Sequence, residues 1–577
     1  MTYPIPPVSV EKSQRALTLL DLVAVLLVLG ALVFLAEASH GLAQPLPEPG
    51  VSPITLDPAA LPGYAARTTL RMLAAMGLSL LFTFTYATWA AKSRRAEFVL
   101  IPLLDILQSV PILGFISVTV VFFMSLAPGR MLGAEFAAVF AIFTSQAWNM
   151  AFSFYQSLRT VPEELGEAAR SFRLSPWMRF WRLEVPFAMP ALVWNMMMSM
   201  SGGWFFVVAS EAISVGDTTV TLPGIGSYIA LAIEHRDLGA IGWAISTMFV
   251  VILIYDQLLF RPLVAWADRF RFEQEMGVTP PGSWVLTALR RSRLVVRATA
   301  PFGAAWRWSY RLSTRAGNQG VMGGRQGRRG RRVDRIWHAA VVAVAALALW
   351  KIAQFVLAGV PLAEAGRAFL LGLATMTRVI VLIAIASAIW VPIGVWIGLR
   401  PNAARVVQPV AQFMAAFPAN LLFPLAVSAI VAFRLDPDVW LSPLMILGTQ
   451  WYILFNVIAG ASTIPSELRD IGTNLRVRGW LWWRRIALPA VFPFYLTGAI
   501  TASGGSWNAS IVAEIASWGQ NRLQAHGLGA YIAEATQAGD FHRVVLGIAV
   551  MSAFVVVINR TFWRPLYARA ERKFRLG

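Results

Sequence analysis

The sequence predicts an all-α integral membrane protein made of two tandem, parallel repeats of about six transmembrane helices each, about twelve spans in all. Two observations carry this prediction. The chain of 577 residues is 57% hydrophobic and only 14% charged, with a mean hydropathy of +0.60, which is too apolar for a soluble protein. Its first half also recurs in its second half. Because lipid offers no partner to backbone polar groups, long apolar runs are expected to be helices.

The repeat is visible as matched residues at a nearly constant spacing. With a spacing of 307 residues, Arg71 matches Arg378, Pro102 matches Pro409 and Pro111 matches Pro418. With a spacing of 303 residues, the matches include Trp148 with Trp451, Pro186 with Pro489, Trp204 with Trp507, Glu211 with Glu514 and Gly224 with Gly527. The change of spacing predicts a deletion of four residues between Pro418 and Trp451 in the second copy. Whatever two homologous halves enclose should lie at their mutual interface.

Hydropathy places six spans in each half. They cover 17–38, 68–91, 98–126, 132–157, 187–213 and 240–262 in the first, and 336–360, 368–399, 404–433, 438–460, 489–514 and 541–565 in the second. The first half is residues 1–272, with its core at 64–272, the linker is 273–335, and the second half is 336–577, with its core at 371–575. The first run is of span length, so we interpret it as a membrane helix rather than a cleaved signal peptide.

Lysine and arginine set the expected orientation. Lys92 and Arg94 follow the second span, several arginines lie in the 159–182 loop, and Arg269 and Arg271 follow the sixth span. By the positive-inside rule these segments face the cytoplasm, and so do both termini. An even number of spans per half makes the repeats parallel, whereas many secondary transporters have inverted repeats.

The linker is strongly basic, with thirteen arginines and one acidic residue, Asp334, between 290 and 335. Its first part, from Trp284 to Arg297, predicts an amphipathic helix on anionic membrane lipids. Its second part, Gly317 to Gly330, is rich in glycine and arginine and predicts a flexible segment. Positive charge beside a cytoplasmic membrane face sets the orientation of the spans and attracts anionic lipids, so we expect no nucleic-acid partner. Since the chain has no cysteine and its five histidines show no ligand spacing, we also expect no metal and no cofactor in this chain.

Two polar segments between spans predict short cytoplasmic helices. We name them the first loop helix, at 162–173, and the second loop helix, at 465–476. Each has a proline at its start, acidic residues in its first turn and arginine at its end, as expected for a helix stabilised by its dipole. A stiff polar helix held between two spans can pass a push from a soluble partner to the membrane helices.

The loop helices resemble the EAA motif of type I ABC importer permeases, in which EAA is followed by three residues, glycine, nine residues and I-x-L-P. Glu167 to Ala169 matches EAA in the first half, and Ile486 to Pro489 closes the motif in the second. The sequence departs from the motif in two ways. The motif's glycine is Arg173 in one half and Arg476 in the other, and Asp470 to Gly472 stands where EAA is expected.

The resemblance extends to the fifth span of each half. Trp204 to Glu211 followed by Gly224 to Ile229 is repeated as Trp507 to Glu514 followed by Gly527 to Ile532, which is similar to permeases of the nitrate/sulfonate/taurine/bicarbonate group. This implies a MetI-like permease fold, duplicated in one chain, whose loop helices dock on an ATPase. The residues implied in that coupling are Glu163, Glu164, Glu167, Ala168, Ala169, Arg173, Glu467, Asp470, Gly472 and Arg476.

The resemblance also implies partners. These are two cytoplasmic ABC ATPase subunits, as a homodimer, and a periplasmic substrate-binding protein, with this chain in a bacterial inner membrane. The sequence has no G-x-x-x-x-G-K-[ST], so ATP with Mg²⁺ would be bound and hydrolysed on the partner subunits. The chain would be a non-catalytic permease for a small anion such as nitrate, a sulfonate, taurine or bicarbonate.

Polar, charged and aromatic residues within the spans are candidates for the substrate path. They are Arg71, Arg378, Thr68, Thr375, Asp105, Gln412, Trp204, Trp507, Glu211 and Glu514. Each arginine either draws an oxyanion toward the interface, or snorkels to headgroups or pairs with a glutamate. The glutamates would repel an anion, which favours a structural or gating pair with a basic residue. The tryptophans are expected to pack, and the pairing of Asp105 with Gln412 is either a one-sided substrate site or drift.

Two other functions stay open at this point. A secondary transporter driven by an ion gradient would need membrane-embedded acid or base relays and inverted repeats. A membrane scaffold would recruit a partner through the arginine-rich linker. Deleting 300–330 while measuring uptake separates the scaffold from a permease.

Overall fold

The computed structural model describes residues 25–26, 29–30, 54–110, 112–215, 218–270, 282–313, 328–519 and 521–574. The predicted span 17–38 therefore lies almost wholly outside the described residues. Within them, eight helices are long and apolar enough to cross a membrane: Pro58–Lys92, Met131–Arg159, Pro176–Glu211, Leu238–Phe270, Trp337–Gly359, Leu362–Gly398, Gly479–Ala513 and Phe541–Ala570. The predicted all-α membrane fold is confirmed.

Three predicted spans are interrupted in the structure. The 98–126 segment forms two helices, Arg94–Ser109 and Ile112–Leu126. The 404–433 segment bends by 79° between Val410–Ala416 and Ala419–Ala432, and the 438–460 segment bends by 45° between Pro437–Met445 and Gln450–Ser462. Counting each bent pair as one span gives up to 10 spans in the described part of the chain.

Proline explains the sharper of the two bends. Phe417, which precedes Pro418, adopts an extended conformation with ψ 128°, because the proline ring disfavours a helical conformation in the residue before it. The helix that starts at Pro401 therefore ends at Ala416. Hydropathy alone could not find this break, since the residues on both sides of it are apolar.

The repeat extends to backbone detail. Wide, π-type turns occur at Phe180–Glu184 and Asp256–Phe260 in the first half and at Trp483–Ala487 and Asn559–Trp563 in the second. Each pair has the 303-residue spacing of the sequence matches. Such turns add one residue to a helical turn and are frequent at functional sites. These four turns thus recur at equivalent positions in the two halves, whereas the π-type turn at Thr83–Ala87 of the first half has no counterpart in the continuous Leu362–Gly398 helix.

Two small β-hairpins were not predicted. In the first half Ala212–Val215 pairs antiparallel with Thr218–Thr221, so that Ala212 faces Thr221. In the second half Ile515–Trp518 pairs with Asn521–Gln524, so that Ile515 faces Gln524. Each strand has four residues, which is too short for an alternating pattern to be recognised. Each hairpin directly follows a helix that ends at or just before a buried glutamate.

The remaining helices are shorter or lie in the linker. They are Glu163–Ser171, Ile225–Glu234, Trp284–Arg291, Arg293–Ser313, Pro401–Ala416, Phe423–Ala432, Gln450–Ser462, Ser466–Asn474 and Leu528–Gln537, and Arg328–Gly359 contains the first span of the second half. The helix predicted at the start of the linker is thus present as two segments. The segment predicted to be flexible falls mostly on residues outside the described set.

The described residues pack into two compact units. One contains Pro162–Pro190 and the described part of Tyr255–Met322, and the other contains the described parts of Ala38–Val161, Ala191–Ile254 and Gly323–Gly577. In the larger unit, Ile397, Leu454 and Ile458 are at the centre of one apolar cluster. In the smaller unit, Val285 and Ala288 of the linker are buried. The second loop helix, both hairpins and most spans belong to the larger unit.

Candidate functional site

The two loop helices present their acidic faces to solvent. The first covers Glu163–Ser171 and the second covers Ser466–Asn474. Glu163, Glu164, Glu167 and Ala168 are exposed in the first, and Glu467 and Asp470 are exposed in the second. Gly166 and Ala169 are buried on the opposite face of the first helix, as is Gly472 in the second. Each helix therefore offers a polar surface that is open to a soluble partner.

Both loop helices end in the same left-handed turn. Arg173 has φ 51° and Arg476 has φ 53°. In the first helix the N–H of Leu174 donates to the carbonyl of Ala169 at 3.0 Å, and the N–H of Arg173 donates to that of Arg170 at 2.9 Å. This is the Schellman arrangement, in which glycine is usual because it has no Cβ. Arginine thus occupies, in both loop helices, a backbone conformation that glycine usually adopts.

An exposed apolar residue caps each loop helix. Phe172 is 79% exposed and Leu475, at the equivalent position, is 71% exposed. A large apolar side chain at this exposure keeps most of its surface in contact with solvent, and burying it fully against a partner would contribute about 1.5–3 kcal/mol. Neither residue was predicted from the sequence, although both precede an arginine and lie 303 residues apart.

The first half contains a buried cluster of charges, which we name the first arginine cluster: Arg71, Glu135, Glu211 and Thr68. Arg71 binds Glu135 through two atoms, Nε and Nη2, each at 2.6 Å, and its Nη1 donates to Glu211 Oε1 at 2.6 Å. Thr68 Oγ1 donates to the same glutamate oxygen at 2.7 Å. The three charged side chains are at most 9% exposed, so the arginine compensates two buried carboxylates.

The second arginine cluster repeats this design with Arg378, Asp438, Glu514 and Thr375. Arg378 contacts Glu514 Oε1 at 3.1 Å and Asp438 Oδ1 at 2.7 Å, and Thr375 Oγ1 donates to Glu514 at 2.8 Å. The cluster is more open than the first, because the Asp438 side chain is 38% exposed. His526 approaches Asp438 with Nδ1 at 2.8 Å from Oδ2, which adds a second partner for this carboxylate.

Glycines allow the backbone after each hairpin to approach the buried glutamate. The N–H of Gly226 donates to Glu211 Oε2 at 2.6 Å. A Cβ on Gly224 would lie 2.3 Å from the Glu211 carboxyl carbon, and one on Gly226 would lie 2.2 Å from the carbonyl oxygen of Val208. Gly527 has the same closeness to Glu514. A residue with a Cβ at these glycine positions would clash with the glutamate or with the helix that carries it.

In the second half, the arginine cluster and the loop helix lie at opposite ends of one helix. The second loop helix precedes the Leu488–Ala513 helix, and Glu514 follows it. Those 26 residues extend about 39 Å at 1.5 Å per residue, which exceeds the roughly 30 Å of a hydrocarbon core. The second loop helix and the second arginine cluster are therefore joined by a helix that is long enough to cross a membrane.

The structure separates the predicted candidates for the substrate path. Pairing of Arg71 with Glu211 and of Arg378 with Glu514 is confirmed. Trp204 and Trp507 are 1% and 2% exposed and belong to the packed interior. Gln412 is partly buried, and the side chain of Asp105 lies outside the described set. Glu135 and Asp438 were not predicted as site residues; they are an acidic pair 303 residues apart, in the region where the spacing of the repeat changes.

A cavity of about 170 Å³ lies between residues of the two halves within the larger unit; we name it the interhalf cavity. Its lining includes Trp148, Asn149, Gly202, Thr449, Tyr452 and Asn508. Among the described residues that line it, none is charged. Ser201 Oγ donates to the carbonyl of Ala415 beside it, and the N–H of Ile112 donates to Asn508 Oδ1 at 2.7 Å. The two halves are thus joined by hydrogen bonds at the cavity wall.

Family comparison agrees with the duplication. A model of the family described as "Binding-protein-dependent transport system inner membrane component" matches residues 84–261 and again residues 390–564. Both copies of the repeat are therefore matched separately, and together the matches cover more than half of the chain.

Three curated relatives are permease proteins, and each is similar to about a third of this chain. The bicarbonate transport system permease protein CmpB of Synechococcus elongatus is 28% identical over 190 residues, which are 33% of this chain and 64% of the relative. The nitrate import permease protein NrtB of Synechocystis is 23% identical over 202 residues, covering 35% and 70%. The glycine betaine/carnitine transport permease protein GbuB of Listeria monocytogenes is 25% identical over 193 residues, covering 33% and 63%. The chain thus spans about 64% of the length of CmpB.

Proposed function

The chain belongs to the family of binding-protein-dependent transport system inner membrane components, and from this premise we propose that it forms the complete translocation pathway of an ABC importer for a small anion. The observation that carries the proposal is the doubled family domain. Two homologous halves that meet in one cavity supply both sides of a pathway, which single-domain permeases build by pairing. We place the chain in an inner membrane with both termini in the cytoplasm.

The loop helices are the proposed docking points for two cytoplasmic ATPase subunits. Exposed acidic residues on each helix and the apolar caps Phe172 and Leu475 support this role, because interface anchors are commonly apolar residues ringed by polar ones. ATP bound and hydrolysed on those subunits would move the loop helices. The two halves would then open alternately to each side of the membrane. A periplasmic binding protein would deliver the substrate.

The interhalf cavity is the proposed site through which the substrate passes. Its volume of about 170 Å³ suits a ligand of few atoms, since cavities for drug-sized ligands measure about 300–1,000 Å³. Its described lining carries no carboxylate, so an anion meets no like charge there. Amide groups such as that of Asn149 can donate to a planar oxyanion. Neither arginine cluster lines the cavity, so we assign both clusters a structural or gating role.

Glycine betaine transport is a second candidate substrate activity. Trp148 and Tyr452 line the cavity, and aromatic faces attract quaternary ammonium groups. GbuB, by its name, carries glycine betaine and carnitine. A single uptake assay with bicarbonate, nitrate and glycine betaine as separate substrates distinguishes the two candidates.

The test is ATP-driven uptake by the purified complex. The tagged full chain is isolated with its ATPase subunits, reconstituted in liposomes, and supplied with binding protein and labelled substrate on one side and MgATP on the ATPase side. We expect accumulation that requires ATP and persists when ionophores collapse all ion gradients. Uptake driven by an imposed ion gradient without ATP would instead identify a secondary transporter and contradict the proposal.

A matched pair of variants tests the docking points. Replacing Phe172→Ala and Leu475→Ala together should leave the melting temperature of the chain unchanged, because both side chains are exposed. Loss of about 2 kcal/mol per anchor should weaken ATPase association by about 30-fold at each docking point. The control is Phe433→Ala, since Phe433 is 75% exposed and lies outside both loop helices. If the control and the double variant associated equally well with the ATPase, the loop helices would not be part of the interface.

A further inference from the structure

A second, larger cavity runs along the side of the second half. It has a volume of about 760 Å³ and lies between the Leu362–Gly398 helix and the Gly479–Ala513 segment; we name it the side groove. Its walls are mainly apolar and include Ala388, Val391 and Phe492. Two hydroxyl groups in its lining bind each other, because Ser387 Oγ lies 2.9 Å from Tyr495 Oη.

One cation stands at this groove. Arg484 lines it and is exposed, and its neighbour Arg485 is exposed as well. Neither guanidinium forms an ion pair or hydrogen bond with another residue in the part of the chain that the structure describes. An apolar groove between two membrane helices thus has the charged Arg484 in its lining, with the exposed Arg485 next to it in the chain.

The equivalent position in the first half is built differently. Arg484 corresponds to Trp181 at the 303-residue spacing, and Trp181 packs against Trp306 of the linker with ring centroids 4.7 Å apart. Trp177 also donates from Nε1 to Ser309 Oγ at 3.2 Å. The first half therefore covers this position with its own linker helix. The second half places a charge at the same position.

We propose that the side groove binds one anionic phospholipid, with an acyl chain along the apolar wall and the phosphate on Arg484 and Arg485. The occupant must be apolar where it lies between spans and anionic where it meets the arginines, and this combination is that of a lipid. Basic pockets between transmembrane helices on the cytoplasmic side bind anionic headgroups, and guanidinium matches phosphate oxygens in pairs. Lipid binding goes beyond the proposed transport function and does not depend on which solute is carried.

The bound lipid would support the second loop helix. A Cβ on Gly472 of that helix would lie 2.8 Å from Ile486 Cδ1 and 3.9 Å from Trp482 Cδ1. Ile486 and Trp482 flank the Trp483–Arg485 stretch, of which Trp483 and Arg484 line the groove. A lipid held there fixes the segment on which the loop helix rests.

The test is photolabelling of the purified full chain in detergent. The probes are phosphatidylglycerol and phosphatidylcholine with the same acyl chains, each carrying a diazirine near the chain end, and labelled peptides are mapped by mass spectrometry. We expect phosphatidylglycerol to label 387–392 and 488–495. The double variant Arg484→Gln with Arg485→Gln should lower that labelling about tenfold, as expected for loss of about 1.4 kcal/mol. Arg560→Gln removes one exposed charge outside the groove and should leave labelling unchanged.

A second variant separates lipid binding from a change of fold. Ala388→Trp fills the groove without altering charge, and it should reduce labelling of the groove by both probes while the melting temperature is retained. Equal labelling by phosphatidylglycerol and phosphatidylcholine in the unsubstituted chain would overturn the proposal. So would labelling that survives the double arginine substitution, or a crosslinked dimer in which a second copy of the chain occupies the groove.

Discussion

Two arginines in left-handed turns carry a measurable cost. Arg173 and Arg476 end the loop helices with φ near 50°, a conformation that costs a residue with a Cβ roughly 1–2 kcal/mol. The exposed side chains of both residues place a positive charge beside the acidic faces. In the proposed docking role of the loop helices, these charges would lie at the surface that meets the ATPase.

Substitution at Arg173 tests this cost. Arg173→Gly should raise the melting temperature slightly, because relief of strain exceeds the extra backbone entropy of glycine, a net gain of up to about 1 kcal/mol. Arg173→Val should lower it, since a β-branched residue is a genuine outlier at positive φ. Thermal unfolding of the three proteins in one detergent gives the order. A valine variant as stable as the glycine variant would contradict the assigned backbone conformation.

The arginine clusters differ in how much each arginine matters. Arg71→Ala leaves Glu135 and Glu211 buried without a cation, which should cost about 3–5 kcal/mol. Arg378→Ala should cost less, about 1–3 kcal/mol, because it leaves one buried carboxylate, that of Glu514, without a cation, whereas Asp438 is 38% exposed and keeps His526 as a partner. The measurement is unfolding of both variants under identical conditions. Equal losses would show that burial does not set the difference between the clusters.

Residue identity predicted the pairs only in part. The matched spacing placed Arg71, Glu211 and their counterparts at equivalent positions, and the ion pair was one of the alternatives. Glu135 was not found because one copy has glutamate and the other has aspartate, in the stretch where the spacing changes by four residues. A search for acidic residues at both spacings would have found it.

At the scale of elements, the hairpin after each fifth span is fixed by close packing. Gly226→Ala would place a methyl group 2.2 Å from the Val208 carbonyl oxygen and should cost about 1–3 kcal/mol, as overpacking does. The control is Gly242→Ala, where nothing lies within 4 Å, and this change should be neutral or slightly stabilising. Thermal unfolding compares the two. A destabilised Gly242→Ala variant would mean that glycine packing is not the cause.

Helix type was predictable from the sequence and helix continuity was not. Hydropathy located the spans because their apolar runs are long. Hydropathy does not show the bend at Pro418 because apolar residues continue through it, although a proline within a span marks a point where the helix can bend. The four-residue strands were missed because they contain too few residues to show a period. The π-type turns at equivalent positions have no sequence signature that hydropathy can detect.

At the scale of the whole molecule, the duplication predicted that the two halves meet around a shared site, and the interhalf cavity lies between residues of both. Its lining could not be predicted, because Thr449, Asn149 and Gly202 carry no signature on their own helices. They become a site only when the helices of the two halves are packed together. Arg71 and Arg378 were candidates for the substrate path because they are charged, but both form ion pairs with carboxylates of their own half.

The central claim is that this cavity opens alternately to the two sides of the membrane when the ATPase subunits act. Since the chain has no cysteine, Thr449→Cys gives a single thiol in the cavity wall, and Gln524→Cys gives an exposed control outside it. The decisive measurement is the rate at which a membrane-impermeant thiol reagent modifies each cysteine from each side of proteoliposomes, with and without trapped ATP. If the cavity opens alternately, the thiol at position 449 changes the side from which it reacts and the thiol at 524 does not. Reaction of the thiol at 449 from the same side in both states would contradict this claim.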